Sequence, residues 1–521
     1  MDAETAQFAR SFTAFVEAMQ AETHFGGDEL SEAGRHVAAF LGARPDVVEP
    51  VVENFPAHQV VDLDLAVEAL LAEHGGERHG VLSPNRMHVD SFVELLTSGH
   101  VRGRLGPVSY GRQRTGPTTD RRIVAFGMGQ LRLPDADGHA VPLVFLQRAA
   151  ARHYGRESYT LELLSPDSTS ADTFLRLLRQ RMSELSTLRG QVISFKPDPF
   201  EYHAPGEDLR FLPRPEVAAD QVVLPPGVLE RITRHVVGIG EQRAALRAAG
   251  QHLKRGVLLY GPPGTGKTHL VKHLLTATPG TTAVLLSGRT LPLLGVATDL
   301  AVAAQPAMVV LEDCDLVAEE RGGGDSSGAL FEMLEAMDGL AADADVTFLL
   351  TTNRVDLLER ALVERPGRVD LAVEIDKPDL PARRRLFDLY AADLLASGAL
   401  SPECAHAAAE RTEGVTASFT KELIRRCVID ALAQGRGPTD VDVSHALDEM
   451  LSDAEHLTRT LLGGGPDEVG WADDDEDDKG DQDGDDDPGG RDERGLVGRP
   501  VPGLASRSRG RRGPGKRWRI S

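Results

Sequence analysis

The stretch VLLYGPPGTGKT, residues 257–268, decides the fold of this chain. Its first four residues form a short apolar run of the kind carried by a strand buried on both faces, and a glycine-rich turn follows at once. That turn reads G-x-x-x-x-G-K-T through Gly261, Pro262, Pro263, Gly264, Thr265, Gly266, Lys267 and Thr268. Glycines let the backbone turn its N–H groups inward around phosphate oxygens. A helix starting near Lys267 adds its positive end, and the lysine ammonium reaches the β and γ oxygens. Thr268 offers a hydroxyl to Mg²⁺, and His269 closes the set assigned to the ligand, a nucleoside triphosphate.

Working outward, the runs AVLLS (283–287), AMVVLEDCD (307–315), VTFLLTTN (346–353) and LAVEI (371–375) alternate with helical segments. This β-α-β series predicts one parallel sheet between helices, an α/β P-loop NTPase fold, with ligands at the carboxyl ends of the strands. At that edge Glu312 and Asp313 stand side by side after a buried strand. One carboxylate is needed to hold hydrated Mg²⁺ and a second to orient or deprotonate the attacking water. Asn353 ends the next strand with a neutral amide suited to holding a water or a γ-phosphate oxygen. In ERPGRVD, Arg365 and Arg368 carry guanidinium groups able to neutralise charge on a transferring phosphoryl group, although arginines paired on the surface would read the same way.

The flanks read differently. The chain has 521 residues, with 57 Lys and Arg against 80 Asp and Glu, a formal charge of −23. Residues 1–195 are expected to form a helical and then α+β recruitment region. Helical spacing appears in Phe8, Phe12, Phe15 and Met19 and in Leu63, Val67, Leu70 and Leu71. β-like runs IVAFGMG, VPLVFLQRA, YTLELLSP and QVISF follow, with one helix near ADTFLRLLRQRMSEL. The proline-dense 196–226 reads as a linker, 227–378 as the nucleotide-binding subdomain and 379–462 as a helical lid. Residues 463–521, acidic and then basic, read as a disordered tail.

Arginines from Arg102 to Arg122 lack an accompanying aromatic series, which favours a solvated loop over a nucleic-acid patch. Cys314, Cys404 and Cys427 lie in no metal or disulfide spacing. No apolar stretch is long enough to span a membrane, and the acidic start MDAETAQFAR is unlike a secretory leader, so a soluble cytoplasmic chain is expected. The acidic balance disfavours nucleic acid as a partner.

Taken together, GPPGTGKT, VVLEDCD, TTN and ERPGRVD resemble the AAA ATPase family, in its clade with a second region of homology. The resemblance covers about 222–460 and implies ATP and Mg²⁺ as ligands, hydrolysis of ATP, and a homo-oligomeric ring, usually a hexamer, that remodels or unfolds a protein client. The alternative is a nucleotide-controlled scaffold or switch. Carried over, Thr268 and Glu312 hold the metal, Asp313 is the water-activating base and Asn353 is the sensor. Arg365 and Arg368 serve a neighbouring subunit's nucleotide, and Val237, Gly238 and Ile239 in HVVGIGEQ hold adenine.

The family's usual Asp-Glu order is inverted here, as in relatives resembling the mitochondrial translocase that assembles complex III. Moving the base by one methylene, about 1.5 Å, is compatible with slow turnover. Leu293 or Leu294 stands where threading relatives carry an aromatic, unless LPLL is core. Ala417, Ser418 and Lys421 are unranked candidates for a second sensor.

Overall fold

The computed structural model describes residues 30–83, 91–97, 103–151, 156, 158–196, 209–314, 339–341, 344–354 and 369–452. Arg365, Arg368, Arg102, the spacing from Phe8 to Met19 and the charged tail lie outside the described residues.

The N-terminal region has the elements α1 (Glu32–Leu41), β1 (Val51–Phe55), α2 (Val60–Glu73), β2 (Glu77–Leu82), α3 (Phe92–Thr97), β3 (Arg104–Gly106), β4 (Ser109–Arg114), β5 (Asp120–Pro134), β6 (Ala140–Arg148), β7 (Tyr159–Leu164) and α4 (Ser168–Glu184). Its antiparallel sheet runs β1-β7-β6-β5-β2-β3, with β4 also on β5. Period two along β6 explains why helices cover both faces. Leu143 and Phe145 join α2 and α4 in one core, whereas Val144 and Leu146 join α1 and α3 in another. The Phe145 ring lies across Gly129 of β5, where an added Cβ would sit 2.1 Å from its Cζ. The expectation of an all-helical start is corrected, because β1 and β2 interleave with α1 and α2 and complete this sheet.

Several arginines of this region are engaged in the fold. Arg121 pairs with Glu68 and Arg112 with Asp120, and Arg122 lies over the Tyr110 ring. In the interior Arg148 and Glu162 form a buried ion pair, and Glu162 also accepts the Phe92 N–H at 2.6 Å, anchoring the start of α3.

The second sheet contains β8 (Val192–Phe195), β9 (Leu209–Leu212), β10 (Arg255–Tyr260), β11 (Thr282–Ser287), β12 (Ala307–Glu312), β13 (Val346–Thr352) and β14 (Leu371–Glu374), in the order β14-β10-β13-β12-β11-β8-β9. Every pairing is parallel except β8 with β9. The parallel strands read as unbroken apolar runs because helices bury both faces. Among those helices are α5 (Val228–Thr233), α6 (Arg243–Ala248), α7 (Lys267–Ala277) and α8 (Leu294–Ala303).

Two expected boundaries move. QVISF belongs to the nucleotide-binding sheet, where β8 extends the β11 edge, and β9 comes from the expected linker. A β-like run does not encode which sheet it joins. Downstream of β9 the chain is packed down as well. The Arg214 guanidinium donates to the carbonyls of Leu275 at 2.6 Å, Thr278 at 3.2 Å, Gly190 at 3.1 Å and Thr281 at 2.6 Å.

The LPLL segment is core at Leu291 and Leu294, while Leu293 is half-buried and Pro292 exposed. Leu291 and Leu294 are buried and Leu293 packs beside them, because residues Gly288–Leu293 form a 3-10 turn running straight into α8. The helices α9 (Leu380–Tyr390), α10 (Pro402–Arg411), α11 (Ala417–Ala433) and α12 (Asp440–Leu451) form a C-terminal unit around Phe387, Phe419, Leu423, Cys427, Leu447 and Met450. No helix among the described residues is long and apolar enough to cross a membrane.

Candidate active site

The glycine loop joins the carboxyl end of β10 to α7, and its backbone requires the residues it has. Gly261, Gly264 and Gly266 have φ of 139°, 79° and 107°, a region L side chains avoid. At Gly261 an added Cβ would also lie 2.3 Å from the Ile375 carbonyl oxygen. The Lys267 ammonium folds back onto its own loop, donating to the Gly261 carbonyl at 2.7 Å and the Pro262 carbonyl at 2.8 Å. Thr265 Oγ1 donates to the Pro262 carbonyl at 2.9 Å. These bonds set the loop's curvature while α7 begins behind it at Lys267, turning its amino-terminal end toward the loop.

Sheet order brings the remaining groups to that place. β10 lies between β14 and β13, and β13 separates it from β12. Asn353 therefore follows the strand next to the loop, and Glu312 ends the strand beyond. Burial raises the Glu312 pKa, the nearby Thr268 hydroxyl opposes that, and the neighbouring Asp313 charge adds to the rise.

A hydroxyl and a half-buried carboxylate beside a phosphate-binding loop are a donor set that suits Mg²⁺, which takes oxygen ligands and retains waters. The residues present thus fit ATP and Mg²⁺. Thr268 and Glu312 would hold the ion, and the loop amides with Lys267 would hold the phosphates. Asp313 has φ 52°, left-handed, and its N–H is received by Thr351 Oγ1 at 3.0 Å.

The adenine assignment to Gly238 and Ile239 is contradicted. Residues Arg234–Gly238 form a π-helical turn at the amino ends of the strands, the edge opposite the loop. There the Val236 carbonyl accepts from Arg255 at 3.3 Å, and Arg255 and Arg243 clasp Asp345 at 2.9 and 3.0 Å. Arg255 opens β10 and Asp345 immediately precedes β13, so these contacts hold the segment at the amino ends of those strands. An earlier stretch hydrogen-bonds to side chains of the loop helix. The Gln221 carbonyl meets His269 Nε2 at 3.1 Å, and the Val217 carbonyl meets His273 Nδ1 at 2.9 Å. Burial, with Lys272 and Lys421 near, holds His269 below its ordinary value. The GIG pattern misled because a glycine motif does not fix which edge of a sheet its segment reaches.

Among the second-sensor candidates, Ser418 touches the loop. Its N–H donates to the Gly264 carbonyl at 3.1 Å and its Oγ at 3.2 Å. Thr416, not singled out from sequence, places Oγ1 2.9 Å from where a Gly264 Cβ would stand.

Fold and site define an α/β nucleotide-binding module with a helical unit closing on the phosphate loop. Residues 257–377 match the model of the ATPase family associated with various cellular activities (AAA). The chain is 31% identical to the ATP-dependent zinc metalloprotease FtsH 1 of Salinibacter ruber, over 41% of this chain and 32% of that protein. It is 30% identical to proteasome-activating nucleotidase 2 of Haloferax volcanii, over 38% of this chain and 51% of that protein. It is 34% identical to the 26S proteasome regulatory subunit 4 homolog B of Arabidopsis thaliana, over 26% of this chain and 34% of that protein. Its nucleotide-binding domain is therefore similar to the AAA ATPase domains of these proteins. The chain spans between about a third and a half of these relatives.

Proposed function

We propose that this protein is a Mg²⁺-dependent ATPase that remodels protein clients. The convergence of the phosphate loop and the Glu312 strand end at one edge of the sheet carries the reading, because Thr268 and Glu312 would there hold the Mg²⁺ that phosphoryl transfer needs. In that reading Lys267 leaves the carbonyls of Gly261 and Pro262 for the β and γ oxygens, and Asn353 holds the attacking water. Asp313 accepts the water's proton. Mg²⁺, when bound, neutralises charge developing on the transferring phosphoryl group.

The finer reading is a homo-oligomeric ring, a hexamer by family resemblance, in which Arg365 and Arg368 reach a neighbour's nucleotide. Residues 30–188 recruit a protein client. Steady-state phosphate release, with and without Mg²⁺ and with and without cell lysate as a crude client source, tests the reading. Turnover that requires Mg²⁺ and rises with lysate supports it. Binding of ATP without turnover in either condition supports a nucleotide-controlled scaffold instead.

A further inference from the structure

Ladder bonds between β12 and β13 follow a regular parallel pattern that opens with the Ala307 N–H on the Asp345 carbonyl at 3.0 Å, and the register holds through Leu311 and Leu350. Every second residue of β12 then donates one rung further along, which would put the Asp313 N–H on the Thr351 carbonyl. That carbonyl instead receives the Cys314 N–H at 3.0 Å, and the Asp313 N–H goes to the Thr351 hydroxyl at 3.0 Å. One residue has been inserted into the strand end, a bulge. Asp313 is that residue, and it is the one non-glycine residue with positive φ among those described.

The bulge resolves a geometric difficulty. Successive strand side chains point to opposite faces, so two adjacent carboxylates do not serve one site from a regular strand. An inserted left-handed residue breaks that alternation and re-aims its side chain. Asp and Asn enter the left-handed region more readily than other residues bearing a side chain, because their short polar groups bond locally.

We propose that Thr351 is a positioning residue for Asp313, its hydroxyl replacing a lost backbone rung and fixing the left-handed bulge, and that this backbone is why the carboxylates stand in the order Glu-Asp. The proposal rests on the reading of Asp313 as the base. Thr351 is buried and acts only through the Asp313 backbone. Valine at 351 keeps the shape and removes the acceptor, whereas serine keeps the acceptor.

The test measures ATP affinity, KM and kcat for the wild type, Thr351→Val, Thr351→Ser and Asp313→Asn, together with melting temperatures of Asp313→Gly and Asp313→Ala. Thr351→Val is expected to lower kcat by about tenfold to a hundredfold, with KM and affinity within about twofold, and Thr351→Ser to recover most of the loss. A Thr351→Val kcat within about twofold of wild type, or a serine variant as slow as valine, overturns the proposal. The base assignment is read separately from Asp313→Asn. Asp313→Gly is expected to melt no lower than wild type and Asp313→Ala to melt lower; the reverse order overturns the backbone claim. That order decides the claim even if Thr351→Val fails to fold or the wild type proves unable to hydrolyse ATP.

Discussion

The amide of Ser418, first turn of α11, donates to the carbonyl of Gly264 in the phosphate loop at 3.1 Å, joining residues 154 positions apart. The C-terminal helical unit is thereby attached to the nucleotide loop itself.

Gly264→Ala should damage this joint. Its Cβ would meet Thr416 Oγ1 at 2.9 Å and Ser418 Oγ at 3.0 Å, at a φ of 79°. The left-handed penalty alone is about 1–2 kcal/mol. A fall in ATP affinity of about tenfold or more is expected by calorimetric titration. Ser418→Ala, which keeps the amide, should cost much less.

Lys267→Ala should abolish measurable ATP binding, since the loop amides remain while the charge on the β and γ oxygens is lost. Alanine is the best helix former, so α7 should persist and circular dichroism should be unchanged. Wild-type affinity in this variant would remove the site assignment.

Arg214→Ala should destabilise the junction around β8 without touching nucleotide affinity. Four carbonyls lose a charged donor, and a charge-assisted bond contributes about 1.5–3 kcal/mol. Partial replacement by water keeps the expected total to about 2–4 kcal/mol, read as a lower denaturant midpoint. The contacted residues Leu275 and Thr278 lie at the far end of α7 from Lys267, so ATP affinity should hold.

For the ring, Arg365→Ala and Arg368→Ala subunits should bind ATP normally yet hydrolyse it poorly, with a loss of about 10³ for a missing finger. Mixing Arg368→Ala with Lys267→Ala protein should restore some turnover, because sites pairing an intact loop with an intact finger then form. A monomer at micromolar protein with ATP would rule out this arrangement.

The strands β10 to β14 and the phosphate loop were legible because buried parallel strands read as unbroken apolar runs and the loop's glycines follow from phosphate geometry. The α9 to α12 helices were legible from their period and turn residues. β8 was visible as a strand, but its sheet was not, since pairing depends on partners distant in sequence. Gly238 and Ile239 were misplaced for the same reason, because tertiary path decides which edge a segment reaches. The bulge at Asp313 left no signal beyond the unusual carboxylate order, whose physical basis appears only in the backbone.

The central claim is that Glu312 holds the metal and Asp313 activates water. ATP affinity with and without Mg²⁺, and single-turnover hydrolysis, measured on Glu312→Gln and Asp313→Asn side by side, test it most directly. Glu312→Gln should lose the Mg²⁺-dependent part of binding, whereas Asp313→Asn should bind ATP nearly as the wild type does and fail to cleave it, since the base acts only in the transition state. An exchange of the two phenotypes, or an Asp313→Asn variant that hydrolyses ATP at the wild-type rate, would contradict the account.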